Sequence, residues 1–205
     1  MKSLSDLMRD CMQLGYVTED IDAAAAFLET KLGTVQCRKS YRSSLGRTPD
    51  AGTQSPSASK PATPEGSFVV VDGAIAEEWV IDVALVNAGA TNIEIIRPVA
   101  GAVDLYRGRL RSDSPATFHH AGFRVDDFDE ASAMVARSGR EWAQYGVSGG
   151  IRFGYLDLTA ELGHFIEVME LDEASANMFT KLEEASNSLT DRQVGLGAPR
   201  DAGKG

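Results

Sequence analysis

HHAGFRVDDFDEASAMV, residues 119–135, decides the fold, because the chain carries a second version of it. His119 to Val125 alternates as a strand. Asp127 or Asp129 then caps a helix with Phe128, Ala131, Met134 and Val135 on one side, and Gly139 ends it. QLGYVTEDIDAAAAFL, residues 13–28, aligns with HAGFRVDDFDEASAMV, residues 120–135, without a gap. Gly15 falls opposite Gly122, Tyr16 opposite Phe123, Glu19 opposite Asp126 and Asp20 opposite Asp127. Asp22, Ala24 and Ala26 match Asp129, Ala131 and Ala133. A strand followed by an acidic helix start is common; this many pairings in one window indicate an internal repeat.

The rest of the chain fits the same reading. Gln13–Val17 predicts a strand. Asp20 or Asp22 caps a helix with Ile21, Ala24, Ala25, Leu28 and Leu32 at helical spacing, stopped by Gly33. Phe68–Val71, Val80–Val86 and Thr91–Arg97 read as strands, the last two joined by a hairpin around Asn87-Ala88-Gly89. Arg152–Leu158 and His164–Glu170 form a second hairpin around Glu161-Leu162-Gly163. At the far end of each half, Ile93-Glu94-Ile95 matches Ile166-Glu167-Val168. The first half is longer, chiefly through RSSLGRTPDAGTQSPSASKPATPE, residues 42–65, a Ser/Pro/Thr-rich insertion expected to be mobile. The predicted fold is α+β. Two βαβββ modules, 11–98 and 118–171, form a U-shaped mixed sheet, joined by a linker at 99–117. A C-terminal helix at 172–189 covers a sheet edge or a partner, and a disordered tail spans 190–205. Residues 1–10 are expected to be too polar to pack.

Composition narrows the function. The 205 residues carry 30 acidic and 20 basic side chains, for a formal charge of −10. This acidic balance disfavours nucleic acid and anionic membranes as partners. No run is long enough to span a bilayer, and Met1 to Met12 lacks the continuous apolar stretch expected of a secretory signal. The two cysteines, Cys11 and Cys37, suit reduced thiols, so a cytoplasmic location is expected.

Alternation places the chemistry. Leu14 and Tyr16 share one strand face with the helices; Gln13, Gly15 and Val17 take the other. By the same rule His120, Gly122 and Arg124 lie opposite Ala121 and Phe123. Glu167 shares a face with Phe165 and Met169, and burying its carboxylate without a partner would cost several kcal/mol, on the order of that for any unpaired charge. Four strands thus present Gln13, Glu94, His120 and Glu167 at repeat-related places, and one metal between the modules would satisfy all four. One nitrogen and three oxygens suit octahedral Ni, Co, Zn, Mn or Mg with two open positions.

HHAGFRVDDFDEA, from His119, and LGHFIEVMEL, from Leu162, resemble the vicinal oxygen chelate superfamily, which includes glyoxalase I, methylmalonyl-CoA epimerase, extradiol dioxygenases and antibiotic-resistance proteins. The resemblance runs from about Gln13 to Leu171. It implies a metal held by Gln13, Glu94, His120 and Glu167, a set most similar to that of glyoxalase I. Epimerases and ring-cleaving iron enzymes usually carry histidine where Gln13 stands. The implied activity is that of a lyase, isomerase or epimerase. A small oxygen-chelating substrate loses a proton next to a carbonyl, with the metal stabilising the enediolate. Glu167 is the expected base and Glu94 its mate on the opposite side. The alternatives are an iron-dependent ring-cleavage dioxygenase and a metal-free small-molecule-binding protein.

Arg124 and Tyr106 are candidates for substrate contact, with Arg107 as a further pocket wall. Arg38, Lys39, Arg42, Arg109 and Arg111 are further cations for substrate acid groups. His119 is expected on the helix-facing side, and His164 in a turn. A homodimer is expected, since the edge strands and the last helix need cover.

Overall fold

The computed structural model describes residues 3–45 and 66–197. The first module is β1 (Cys11–Val17), α2 (Ile21–Leu32), β2 (Val35–Ser44), β5 (Trp79–Ala88) and β6 (Thr91–Gly101), preceded by a short helix, α1 (Leu4–Leu7). Between β2 and β5 lie two inserted strands, β3 (Phe68–Val71) and β4 (Ala74–Ile75). A helical turn, α3 (Asp104–Arg107), leads to the second module. This comprises β7 (Thr117–Arg124), α4 (Phe128–Arg137), β8 (Gln144–Ser148), β9 (Ile151–Leu158), the short α5 (Thr159–Leu162) and β10 (His164–Leu171). Helix α6 (Glu173–Gly197) closes the described chain.

All the strands form one mixed sheet in the order β2-β5-β6-β1-β7-β10-β9-β8-β3-β4. Within each module the first strand runs parallel to the last, β1 with β6 and β7 with β10, while β1 and β7 join the halves antiparallel. The sheet curls into a half-barrel, and at its rim the Ser43 hydroxyl lies 2.6 Å from that of Ser148.

Local chemistry chooses the helix ends. Asp20, not Asp22, caps α2, accepting from the Asp22 and Ala23 amides, and Gly33 leaves the helix at φ +66°. Asp127, not Asp129, caps α4 by accepting from the Glu130 amide. Each helix buries its apolar stripe on the outer face of its own module. Ala24 and Leu28 meet Ala84, Ile93 and Ile95, while Ala131, Met134 and Val135 meet Leu156, Ile166 and Val168. Leu32, expected on the first stripe, is the last residue of α2 and 50% exposed. A third cluster, containing Trp79, Val83, Leu85, Phe153 and Phe165, fills the inner face.

Several expectations need correction. Phe68–Val71 is a strand, but it pairs antiparallel with β8 at the far edge of the second module. The second strand of the first module is instead β2, which starts well before residue 42 and takes in Arg42–Ser44 of the expected insertion. Residues 46–65 of that insertion lie outside the described residues, as do 198–205 of the expected tail; 190–197 continue α6. That helix packs across the inner side of the sheet, chiefly against the edge strand β2 and its neighbour β5. Ala174, Met178 and Phe179 face the inner cavity, and the Ser175 hydroxyl donates to the Gly149 carbonyl in the β8–β9 turn. The N-terminal segment also packs: Leu7 is 2% exposed among Phe123, Met134 and Val135. Among the described residues no helix is long and apolar enough to cross a membrane.

Leu7→Ala should therefore destabilise the protein by about 2–4 kcal/mol, as for other buried leucines. Chemical denaturation measures this; a change within ~0.5 kcal/mol would mean that the segment does not pack on α4.

Candidate metal centre

The centre lies where the two modules meet, across β6, β1, β7 and β10. Two cross-strand rows build it. In one, Glu94 neighbours Gly15, and Gly15 faces His120. In the other, Gln13 faces Gly122, and Gly122 neighbours Glu167. The rows interchange under the repeat, Glu94 with Glu167, Gly15 with Gly122 and His120 with Gln13. Each glycine leaves open the space that a neighbouring donor side chain occupies. A Cβ on Gly15 would lie 1.9 Å from His120 Cε1, and one on Gly122 would lie 3.1 Å from Gln13 Cβ.

Glu94, His120 and Glu167 each contribute a ligand atom, and these atoms lie within 4.8 Å of one another. His120 Nε2 is 3.1 Å from Glu167 Oε2 and 3.5 Å from Glu94 Oε2. Ligands at about 2.1 Å from a common ion sit about 3.0 Å apart at right angles and about 3.4 Å apart at the tetrahedral angle. The spacing fits one small cation. His120 Nε2 and Glu167 Oε2 are both buried without a hydrogen-bond partner, so their short contact lacks hydrogen-bond direction. Two buried polar atoms without hydrogen bonds, one of them a carboxylate oxygen, converging on one point are a costly arrangement that a cation relieves.

Gln13 is 2% exposed and lines the same cavity. Its Nε2 donates to Asn92 Oδ1 at 2.9 Å, and Asn92 Nδ2 donates in turn to Asn87 Oδ1. With its amide nitrogen so engaged, Gln13 keeps its carbonyl oxygen as an acceptor toward the cavity.

His119 does not lie on the helix-facing side. Gly15 pairs with His120 and Tyr16 with Phe118, so His119 is the extra residue of a β-bulge, which turns it onto the inner side. It is fully buried, stacked between Tyr106 at 5.1 Å and Phe165 at 4.8 Å. Its Nε2 faces the Leu105 carbonyl at 3.3 Å and its Nδ1 lies 2.9 Å from His120 Nδ1. Burial, reinforced by the neighbouring His120, holds the His119 pKa well below its ordinary value, so the ring is neutral. The carbonyl assigns its proton to Nε2. His119 Nδ1 then accepts from His120 Nδ1–H, which leaves His120 Nε2 directed at the two carboxylates.

The electrostatics reflect crowded negative charge. Burial, then repulsion from Glu167, pushes the Glu94 pKa up to about 7, with His120 opposing. For His120, burial acts downward, but the Glu167 and Glu94 carboxylates outweigh it and the net direction is up. Burial also raises the Tyr106 and Tyr155 hydroxyl pKa values, so both stay protonated.

Among the other expected contacts, Tyr106 lines the cavity, and its hydroxyl accepts from Gln144 Nε2 at 2.9 Å. Arg124 does not line it: alternation ends at the exposed tip of β7, where the guanidinium pairs with Asp10. Arg107 bonds the Val99 carbonyl, Arg109 the Gly163 carbonyl and Arg111 the Asp113 carboxylate, all away from the cavity. Arg42 borders the cavity on β2, but its guanidinium bonds Asp82 on the outer face, and the side chains of Arg38 and Lys39 lie outside the described residues. His164 starts β10, packed edge-on against Phe118.

Residues 12–155 match the family model of the Glyoxalase/Bleomycin resistance protein/Dioxygenase superfamily, and the chain belongs to that superfamily. No curated protein matches it. Among solved structures it is similar to methylmalonyl-CoA epimerase from Mycobacterium tuberculosis, with 15% identity, 86% of this chain and 95% of that chain covered, and a TM-score of 0.48. It is also similar to a Streptomyces coelicolor methylmalonyl-CoA epimerase bound to 2-nitronate-propionyl-CoA (14% identity, 81% and 96% covered, TM-score 0.48). A third neighbour is the hypothetical protein BH1468 from Bacillus halodurans C-125, at 14% identity, 80% and 95% covered and a TM-score of 0.46.

Gly15→Ala should destabilise the protein by roughly 1–3 kcal/mol, because the packed His120 ring cannot retreat. Gly122→Ala should cost less, since the nearest atom, Met169 Cε at 2.7 Å, ends a flexible side chain. Thermal unfolding of both variants checks the order. In chelator-treated protein, Glu94 binds its proton more tightly folded than unfolded. Its contribution to stability is therefore present below pH ~4.5 and lost as the pH rises through about 7. The melting temperature should fall across that window, and Glu94→Gln should flatten the fall.

Proposed function

We propose that this protein is a divalent-metal-dependent isomerase, epimerase or lyase of the glyoxalase type, moving a proton next to a carbonyl of a small substrate with two neighbouring oxygens. One observation carries the reading. His120 Nε2 and Glu167 Oε2, buried and without hydrogen bonds, converge with Glu94 at ligand spacing.

Gln13, Glu94, His120 and Glu167 would hold the ion. When bound, it supplies the positive charge that stabilises an oxyanion developing on the substrate. The remaining work falls to the chain. Glu167 takes the proton beside the carbonyl, flanked on β10 by Phe165 and Met169, which keep water from the carboxylate. Glu94, on the opposite module, returns a proton from its own side, and the two acting in turn permit inversion at carbon. His119 acts through His120 as a positioning residue, holding Nε2 in the direction of the ion. Tyr106 and Tyr155, whose rings meet edge to face at 5.9 Å, fix the wall against which the substrate lies.

Elemental analysis after loading with Ni, Co, Zn or Mn should find about one ion per chain. Glu167→Gln and His120→Ala should each weaken binding by at least roughly tenfold, in line with loss of a ligand or its support. His119→Leu should weaken it less and shift the Co(II) absorption spectrum. Unchanged metal content in Glu167→Gln and His120→Ala would defeat the proposal.

A further inference from the structure

The cavity above the carboxylates has a volume of about 530 Å³ and a graded wall. From Tyr155, which pairs with Glu167, same-face positions on β9 run to Phe153 and then Ile151, beside Met169 and Leu171 of β10. That climb of four residues covers roughly 13 Å at ~3.3 Å per residue. On the facing module, Ile81 and Trp79 continue the apolar surface, with Trp79 stacked on Phe153 at 6.2 Å. Helix α6 closes the far side with Met178 and Phe179. Hydroxyls of Ser43, Ser44 and Ser148 mark the mouth.

Positive charge is scarce. Arg42 is the one basic residue among the described residues bordering the cavity, and its guanidinium turns to the outer face of the sheet, where Asp82 holds it through bonds of 2.6 and 3.1 Å. Asp82 also pairs with Arg97, which fixes it further. Among the described side chains, a second carboxylate or a phosphate on the substrate would meet an aromatic wall without a counter-charge inside the cavity, at a cost of desolvation.

We infer that the substrate carries an aryl or branched-alkyl body on its two chelating oxygens, with no second anionic group, and that Met178 and Phe179 of α6 select for that body. This rests on the proposed metal centre. Hydroxamic acids, which chelate through two neighbouring oxygens, serve as probes on the full-length Co(II)-loaded protein. Calorimetric titration gives affinity and the cobalt absorption spectrum reports chelation. 3-Phenylpropionohydroxamic acid should bind at least roughly tenfold tighter than acetohydroxamic acid, the gain expected from burying a phenyl group. Succinic monohydroxamic acid should bind no tighter than acetohydroxamic acid. Phe179→Ala and Met178→Ala should each cut the phenyl advantage severalfold while leaving acetohydroxamate affinity within about twofold. A cobalt spectrum shifted equally by all three probes at equal affinity would overturn the inference and leave the metal centre standing. A preference for the succinyl probe would overturn it in the same way. Failure to bind cobalt, or a spectrum that no probe shifts, would remove the proposed centre and the inference with it.

Discussion

Two missing side chains organise this molecule. Donor groups from four strands can converge only if something leaves room at the point of convergence, and Gly15 and Gly122 supply that room. Each lies beside a glutamate on the parallel neighbour and opposite the donor on the antiparallel one. Because His120 fills the space over Gly15, even one methyl there would collide with the ring. The repeat that names the fold is therefore also a repeat of cavities. Duplication brings two carboxylates and an imidazole within reach of one another, with the Gln13 amide at the repeat-related place, and the glycines leave the room between them.

What surrounds the centre determines its chemistry. Buried carboxylates repel each other, and the histidine between them answers that repulsion in part, as the raised Glu94 and His120 pKa values record. The bulge at His119 adds a second imidazole behind the first, neutral and locked between two aromatic rings. A chain of bonds from the Leu105 carbonyl through His119 thus sets the direction of His120 Nε2. On the other side, Asn87 and Asn92 fix the Gln13 amide in the same manner. Both neutral donors are held from behind.

Much of this was readable in the sequence, for physical reasons that also explain the gaps. The repeat, both helices with their aspartate caps and the glycine stops follow from spacing and local hydrogen bonding. So does the shared face of Gln13, Glu94, His120 and Glu167, since alternation is rigid within an unbroken strand. It fails where a strand is irregular. No local signal in HHAGFR marks which residue bulges, and so alternation alone puts His119 on the wrong side. It also fails at strand ends, where Arg124 follows the alternation but has run past the cavity to Asp10. β2 escaped because an edge strand with one neighbour can be polar, and VQCRKSYRSS has no apolar alternation to detect. β8 is short, flanked by glycine, and rests on β9 more than on its own side chains. The roles of Gly15 and Gly122 need cross-strand register, which a single sequence does not print.

The inserted hairpin has a consequence of a different kind. Without it, β8 would end the sheet, its outer row of amides and carbonyls open to any extended chain. β3 caps that row, and the new terminal strand, β4, is only two residues long. A template that short offers little to a passing strand, so an insertion in one half guards the other against fibrillar association.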